Sequence, residues 1–463
     1  MRLYNTLTRE LDEVVPIDDR HIRMYTCGPT VYRYVHIGNL RSFLLSDLVR
    51  RALEFEGFEV AQVVNITDVG HMTDEVSDAG RDRMDLAADD EGLAPADIAR
   101  KYTEAFLEDA DRIGLKRAHV YPKATEHIGE MLELTGRLVE NGHAYEVGGT
   151  IYYDVQSFDG YGKLSGNTLD KLRAGHRQEL EVDPNKRFHA DFALWKRAGE
   201  GRLMKWDSPW GEGFPGWHIE CSAMSMKYLG DRFDIHTGGV DLIFPHHEDE
   251  IAQSEGAAGH EVISIWVHGG HLRLGELKMA KSTGNVIRIA DLAAAGFDPL
   301  AFRYLTFQTR YRSEMDFSEA AMHAADTAVK RLRQRMAEWA PASSELSPPA
   351  VELDRRFREA VGNDLDMPQA LVVLNETVSA DLPADEKYAL IASWDQVLGI
   401  EVERDAREAW EPTEEMRSLV AERDTARTAK DYRKSDEIRE RLQAMGLEVM
   451  DTPEGTKIRP KVR

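Results

Sequence analysis

The spacing of apolar positions changes twice within the first seventy residues. Arg23-Met24-Tyr25-Thr26-Cys27 reads as a short strand ending in the turn signal Gly28-Pro29-Thr30. From Asn39 to Glu56 the apolar residues Leu40, Phe43, Leu44, Leu48 and Leu53 recur at helical spacing; Gly57 stops the helix and Val60 to Ile66 is a second strand. A strand, crossover helix and strand in that order build a parallel sheet, which binds nucleotides at its strand ends. Sheet signals return at Phe233-Asp234-Ile235-His236 and at Ile263 to His268. The long charged stretch from about Asp68 to Asp207 then reads as an insertion between the halves of the sheet. Thr150 to Val155 is a strand within it, but periodicity alone assigns the insertion no fold of its own.

Beyond about Asp316 the pattern is helical through Ala340, breaks at the Pro/Ser-rich loop Pro341 to Pro349, and continues to about Gly399. Glu414 to Met445 is a further helical stretch rich in i,i+4 charge pairs. Asp451 to Thr456 is a turn before a last basic strand or coil.

With 463 residues and 42% hydrophobic content, two to four domains are expected rather than one core. No apolar run approaches the ~18 to 20 residues that span a bilayer, and MRLYNTLTREL lacks the basic and apolar regions of a signal peptide, so the expected location is cytoplasmic. A net charge of −24 argues against a broad basic surface that holds nucleic acid non-specifically. From Arg423 to Arg463, however, 11 Lys/Arg face 8 Asp/Glu, which makes this tail the place for a local nucleic-acid contact. The two cysteines, Cys27 and Cys221, are too few for a disulfide framework; each is either buried and inert, or a ligand or nucleophile.

Two short peptides carry phosphate chemistry. His36-Ile37-Gly38-Asn39 opens the first helix, where unpaired N–H groups and a partial positive charge attract phosphate, glycine permits close approach, and histidine donates to charge building on an α-phosphate. Lys278-Met279-Ala280-Lys281-Ser282 sets two lysines three apart on a loop that can neutralise a departing pyrophosphate. Alone, the first is an ordinary loop and the second a solvated basic turn. In this order they point to activation of a carboxylate by ATP as an acyl adenylate.

A third constellation joins Cys27, Cys221 in Gly216-Trp217-His218-Ile219-Glu220-Cys221, and Phe244-Pro245-His246-His247-Glu248-Asp249-Glu250. On a helix beginning near Pro245, His246 and Glu250 are i and i+4 and share a face. Two thiolates, an imidazole and a carboxylate make a tetrahedral zinc set. The competing reading is two buried cysteines beside an acid-rich helix start, and His218, His236 and His247 compete as ligands.

The paired peptides resemble the HIGH and KMSKS signatures of class I aminoacyl-tRNA synthetases, with Asn39 where many have a second histidine and Ala280 where serine is commonest. CGPTVY, HIGN, GWHIECSAMS, HTGGVDLIFPHHEDEIAQSE and KMAKSTGN together are similar to the cysteinyl-tRNA synthetase family over essentially the whole chain. The resemblance implies that Cys27, Cys221, His246 and Glu250 hold one Zn²⁺. It implies catalytic roles for His36, Asn39, Lys278 and Lys281, and an ATP site, with Mg²⁺ in the substrate complex, of Thr30, His36, Gly38, Asn39, Gly239, Asp241 and Lys281. It places Gly28, Thr67, Trp217 and His236 around the amino acid. The implied fold is α/β: a Rossmann-type parallel-sheet catalytic domain over 1–315, with the insertion at about 68–207, then a helical bundle over 316–405 and an anticodon-binding domain over 406–463. In that last domain Ile458 stands where the family often has tryptophan.

Zinc has a physical reason independent of the family. A shape-based pocket gains only ~1 to 3 kcal/mol from a one-atom difference between cysteine and serine. Coordination deprotonates a thiol of pKa near ~8.5 far more readily than an alcohol, so the substrate thiolate becomes a further ligand and no editing domain is needed. The expected activity is ligation of L-cysteine to tRNA(Cys) by a monomer that uses ATP. The rivals are a cysteine ligase with a small amine acceptor, as in mycothiol synthesis, a silent paralogue, and a duplicate loading another sulfur-containing acid.

Overall fold

The structure is a computed structural model that describes residues 1–74, 79–175, 183–274, 286–339, 346–404, 414–429, 431–445, 447–452 and 455–460. The expected crossover unit is β1 (His21–Thr26), α1 (Ile37–Phe55) and β2 (Glu59–Val64). After the insertion come α2 (Trp217–Leu229), β3 (Phe233–Gly239), α3 (Glu248–Ala258) and β4 (Ile263–Gly269). The four strands form one all-parallel sheet in the order β4-β3-β1-β2, so the His36–Asn39 peptide and the Phe244–Glu250 segment follow neighbouring strands, β1 and β3.

Alternation along these strands divides the core in two, as a sheet covered on both faces requires. Met24, Ile235, Ile265 and Val267 pack on one face with Leu40, Leu44, Leu48 and Leu53 of α1, continuous with the helical region. Tyr25, Cys27, Val63 and Trp266 point to the other face, where the insertion and α2 cover them.

The insertion has a fold that periodicity does not announce. Ala144–Val147, Thr150–Tyr153, Phe192–Arg197 and Gly213–Pro215 form an antiparallel sheet against the helix Ile128–Glu140, the last strand lying past the expected end near Asp207, whereas Pro95–Arg112 packs into the core on the α1 side. Its strands are three to six residues long and separated by up to about forty, too short for a period to emerge. Leu272–Leu274 pairs in parallel with Met315–Phe317, a second pairing too short to read from sequence.

The helical region comprises Glu319–Glu338, Pro348–Gly362, Met367–Ser379 and Ala384–Leu398. Pro348 starts a helix, where its missing N–H costs nothing. The stretch from Glu414 is two helices, Glu414–Thr428 and Tyr432–Ala444, followed by the hairpin Leu447–Thr452 with Gly455–Pro460. This unit has its own core of Leu419, Ile438, Leu442, Leu447 and Val449, and Ile458 packs against it.

Candidate functional site

β1 ends at Thr26, and the next two residues shape the site. Gly28 can be nothing larger, because a Cβ would sit 1.6 Å from the Asn65 carbonyl oxygen. Its N–H donates to Asn65 Oδ1 at 2.7 Å, and Asn65 Nδ2 donates to Thr67 Oγ1 at 3.0 Å. Thr30 and Thr67 form an isolated parallel bridge, so the turn after β1 and the chain after β2 are stitched together.

That turn delivers the start of α1. His36 is the N-cap: its Nδ1 accepts from the Asn39 N–H at 3.2 Å, while Asn39 Oδ1 accepts from the His36 N–H at 3.2 Å. This is a capping box built from His and Asn. Accepting at Nδ1 puts the ring proton on Nε2, which is left to donate outward. Burial, and then the charge of Arg33, lower the His36 pKa, so the ring is neutral near pH 7; Asp241 acts the other way and therefore lies within its electrostatic reach. Gly38 keeps this cap open, since a Cβ there would press on the His36 ring at 2.9 Å. Gly239 makes an equivalent close approach, with Asp241 Oδ1 2.3 Å and Ser42 Oγ 3.1 Å from where its Cβ would be. The Ile37 N–H donates to the Ile287 carbonyl at 2.9 Å, tying α1 to the chain that follows the second phosphate peptide. Lys278 and Lys281 themselves lie outside the described residues.

Cys27, Cys221, His246 and Glu250 converge in the interior. Cys27 Sγ lies 3.7 Å from Cys221 Sγ, 3.4 Å from His246 Nε2 and 3.5 Å from Glu250 Oε1, and His246 Nε2 lies 3.0 Å from Glu250 Oε1. The cysteines are free, not bridged. Zn–S bonds of ~2.3 Å and Zn–N or Zn–O bonds of ~2.0 to 2.2 Å set tetrahedral edges of about 3.8 Å for S–S, about 3.5 Å for S–N and about 3.4 Å for N–O. The set is therefore already spaced for the ion, slightly contracted on its nitrogen and oxygen edge. A second set, Cys27, His236, His247 and Glu250, overlaps it. There His247 Nε2 is 3.3 Å from Cys27 Sγ but 3.9 Å from Glu250 Oε1, and this set has one thiol rather than two.

The electrostatics also ask for a cation. Burial would push Glu250 up, but His236 and His246 hold it well below the usual carboxylate range. Burial would push His246 down, but Glu250 and Cys221 raise it to about 10. Cys27 is pushed up by burial, while the Cys27 contact pulls Cys221 down. One proton on His246 thus stands where a metal ion fits.

His236, expected beside the amino acid, is fully buried with Nε2 2.9 Å from Glu250 Oε2, so it orients that carboxylate. The Trp217 ring lies 4.3 Å from the His246 ring, and Thr67 reaches the cluster through Asn65, whose Oδ1 is 3.7 Å from Cys221 Sγ. Several members escape sequence reading. Asn65 looks like a generic strand-end residue. Glu248 accepts from the backbone N–H groups of Gly162 and Ser165, at 2.9 and 2.7 Å, anchoring an insertion loop to α3. Asp249 accepts from the Tyr161 hydroxyl at 2.6 Å and faces His218 Nε2 at 3.3 Å; His247 passes through His268 to Thr6 by contacts of 2.7 Å. The one signal in the sequence is the density of His and acid in HHEDE, more than four ligands require.

Residues 13–327 match the family model described as the tRNA synthetases class I (C) catalytic domain, and residues 411–459 match the cysteinyl-tRNA ligase anticodon binding domain. The chain is 43% identical to a cysteine–tRNA ligase of Salinibacter ruber, covering 98% of this chain and 97% of that one. It is also 43% identical to a cysteine–tRNA ligase of Thermus thermophilus, covering 99% and 98%. Among solved structures, Mycobacterium tuberculosis methionyl-tRNA synthetase bound by methionyl-adenylate shares the fold, with a TM-score of 0.56 and 14% identity over 84% of this chain and 92% of that one.

Proposed function

The chain belongs to the cysteine–tRNA ligase family of class I aminoacyl-tRNA synthetases, and on that footing we propose how its residues divide the reaction. The enzyme joins cysteine to tRNA. The observation that carries the assignment of roles is the buried set of two thiols, an imidazole and a carboxylate, with Cys27 on the segment that leads from β1 to the His36 cap of α1.

Cys27, Cys221, His246 and Glu250 would hold Zn²⁺, which would supply a borderline-soft Lewis acid that favours the substrate's thiolate over a serine hydroxyl. Thr67 and Trp217 border the same cluster, and Gly28, which lets the Asn65 backbone pack against the turn after β1, is placed beside the amino acid by the family resemblance. With the sulfur anchored, the substrate carboxylate attacks the α-phosphate of ATP, a substrate complex with Mg²⁺. Neutral His36 donates from Nε2 to the phosphate, held in that tautomer by Asn39; the open N-terminus of α1 adds its N–H groups. Thr30, Gly38, Gly239 and Asp241 border the nucleotide. Lys278 and Lys281 neutralise the departing pyrophosphate, a role argued from sequence spacing. The acyl group then passes to the 3′-terminal adenosine of tRNA(Cys), with no covalent enzyme intermediate.

The proposed domains are 1–315, 316–405 and 406–463, supported by the separate core of the C-terminal unit. A match to an anticodon-binding domain favours tRNA over a small amine as acceptor. Among the described residues no helix is long and apolar enough to cross a membrane. The resemblance to the cysteinyl-tRNA synthetase family is what supports a cytoplasmic monomer as the proposed form. The test is cysteine-dependent exchange of pyrophosphate into ATP, then transfer to tRNA against an amino sugar. Exchange with transfer to tRNA is the expected result; exchange with transfer to the amine overturns the acceptor, and no exchange overturns the scheme.

A further inference from the structure

We infer that Glu220, together with the Thr67 hydroxyl beside it, recognises the α-ammonium group of the cysteine substrate. The inference rests on the reading of the cluster as the cysteine site and adds the group that reads the other end of the same molecule.

Several carboxylates crowd this region, and nearly all are accounted for. Glu248 spends its oxygens on backbone N–H groups, Asp249 on Tyr161 and His218, Glu250 on His236 and His246, and Asp68 on the Thr125 N–H and hydroxyl. Glu220 is the exception. Its Oε1 lies 2.7 Å from His71 Nε2, but Oε2 has no hydrogen-bond partner among the described residues although Glu220 is 0% exposed. A buried carboxylate oxygen left without a donor is costly and calls for a partner, which a bound ligand can supply.

Its position says which group. Glu220 immediately precedes Cys221 and follows Trp217 by one helical turn, so all three belong to one stretch of α2. The Thr67 hydroxyl lies within hydrogen-bonding reach of the Glu220 side chain, and Thr67 is linked through Asn65 to Cys221 Sγ by contacts of 3.0 and 3.7 Å. In cysteine the ammonium nitrogen is only two bonds beyond the carbon that bears sulfur. With sulfur held at the cluster, the ammonium must therefore fall within a few ångströms of it. A hydroxyl that accepts from Asn65 retains a second lone pair, and the Glu220 Oε2 has both; together they suit a cation with three N–H donors.

Isothermal titration of the zinc-loaded chain with three thiols tests this. Cysteine carries both ammonium and carboxylate, cysteamine only the ammonium, and 3-mercaptopropionate only the carboxylate. Glu220→Gln should weaken cysteine and cysteamine by about ten- to a hundredfold while leaving 3-mercaptopropionate within about twofold and zinc at one equivalent. Thr67→Val, which leaves the buried acid in place, should show the same selectivity with a smaller loss. Equal weakening of all three ligands, loss of zinc, or no change in cysteine binding in either variant overturns the assignment. If the unaltered chain binds none of the three thiols, the cysteine-site reading fails instead, and the two failures are distinct.

Discussion

At the scale of single residues the site is decided by which atoms have nowhere else to go. Cys27 and Cys221 are buried 3.7 Å apart without a disulfide, and His246 keeps its proton to about pH 10 only because Glu250 and Cys221 surround it. Cys221→Ser replaces one of the two thiolate ligands by a harder hydroxyl and should reduce bound zinc from one equivalent to near zero, with cysteine affinity falling in parallel; metal analysis of the purified variant beside a cysteine titration checks it. Residue type and i,i+4 spacing bring Cys27, Cys221, His246 and Glu250 forward as candidates in the sequence, but they leave His218, His236 and His247 as rivals, and it is the family resemblance that chooses among them. Asn65 is not legible there. Its side chain serves Gly28, Thr67 and Cys221 at once, and each contact depends on the meeting of β1 with β2, which local spacing does not record. Asn39 reads from its motif as a phosphate residue, and the structure adds that it closes the helix cap. Asn39→Ala should therefore cost about 0.5 to 2 kcal/mol in urea unfolding and slow pyrophosphate exchange, because His36 loses the partner that fixes its tautomer.

At the scale of elements, α1 is the part on which the other pieces are aligned. Its start is capped by His36 and tied to Ile287, and one turn later Arg41 donates to the carbonyls of Gly270, His271 and Ser313 at 2.7, 2.5 and 2.6 Å. Those carbonyls flank the pairing of Leu272–Leu274 with Met315–Phe317, the strand that leads into the lysine peptide. Burial lowers the Arg41 pKa to about 10, still far above neutrality, so it stays a cation clasping three carbonyls. Arg41→Met should cost about 1 to 3 kcal/mol by leaving buried acceptors unpaired, and should lower the maximal exchange rate more than it alters cysteine affinity, since the cysteine cluster lies elsewhere. Equilibrium unfolding and steady-state exchange on one preparation separate the two effects. The helix is readable from its five apolar positions. The clasp is not, because Arg41 looks like a surface arginine and its acceptors are main-chain atoms more than two hundred residues away.

At the scale of the whole molecule, the core shared by the sheet and the helical region contains a buried ion cluster that joins them. Asp47 on α1 meets Arg303 at 2.5 Å and Arg51 at 2.7 Å, and its other oxygen accepts from the Lys116 N–H at 2.7 Å. Arg303 carries the contact onward by donating to the Leu398 carbonyl at 2.5 Å and to Gly114, while Arg51 donates to the Gln396 carbonyl at 3.0 Å. The last turn of the helix Ala384–Leu398 is thereby fastened to the helix that bears His36. Sequence pattern predicts both helices and cannot predict the fastening, since the charges involved are spread over some two hundred and fifty residues. Burial would raise the Asp47 pKa, but Arg303 and Arg51 outweigh it and hold it below the ordinary value. A carboxylate depressed in the folded state binds fewer protons there than in the unfolded chain. Its stabilisation is thus complete above the unfolded value of about 3.9 and fades as pH falls through the lower, folded one. Asp47→Asn leaves Arg303 buried without its counter-charge and should cost about 3 to 5 kcal/mol at neutral pH. Compared by urea unfolding, the gap between variant and parent should stay constant from pH 8 down to about pH 5 and narrow below about pH 4, as the parent loses what the variant never had. A gap that widened in acid would mean that the carboxylate is protonated in the folded protein, and that the fastening is not an ion pair.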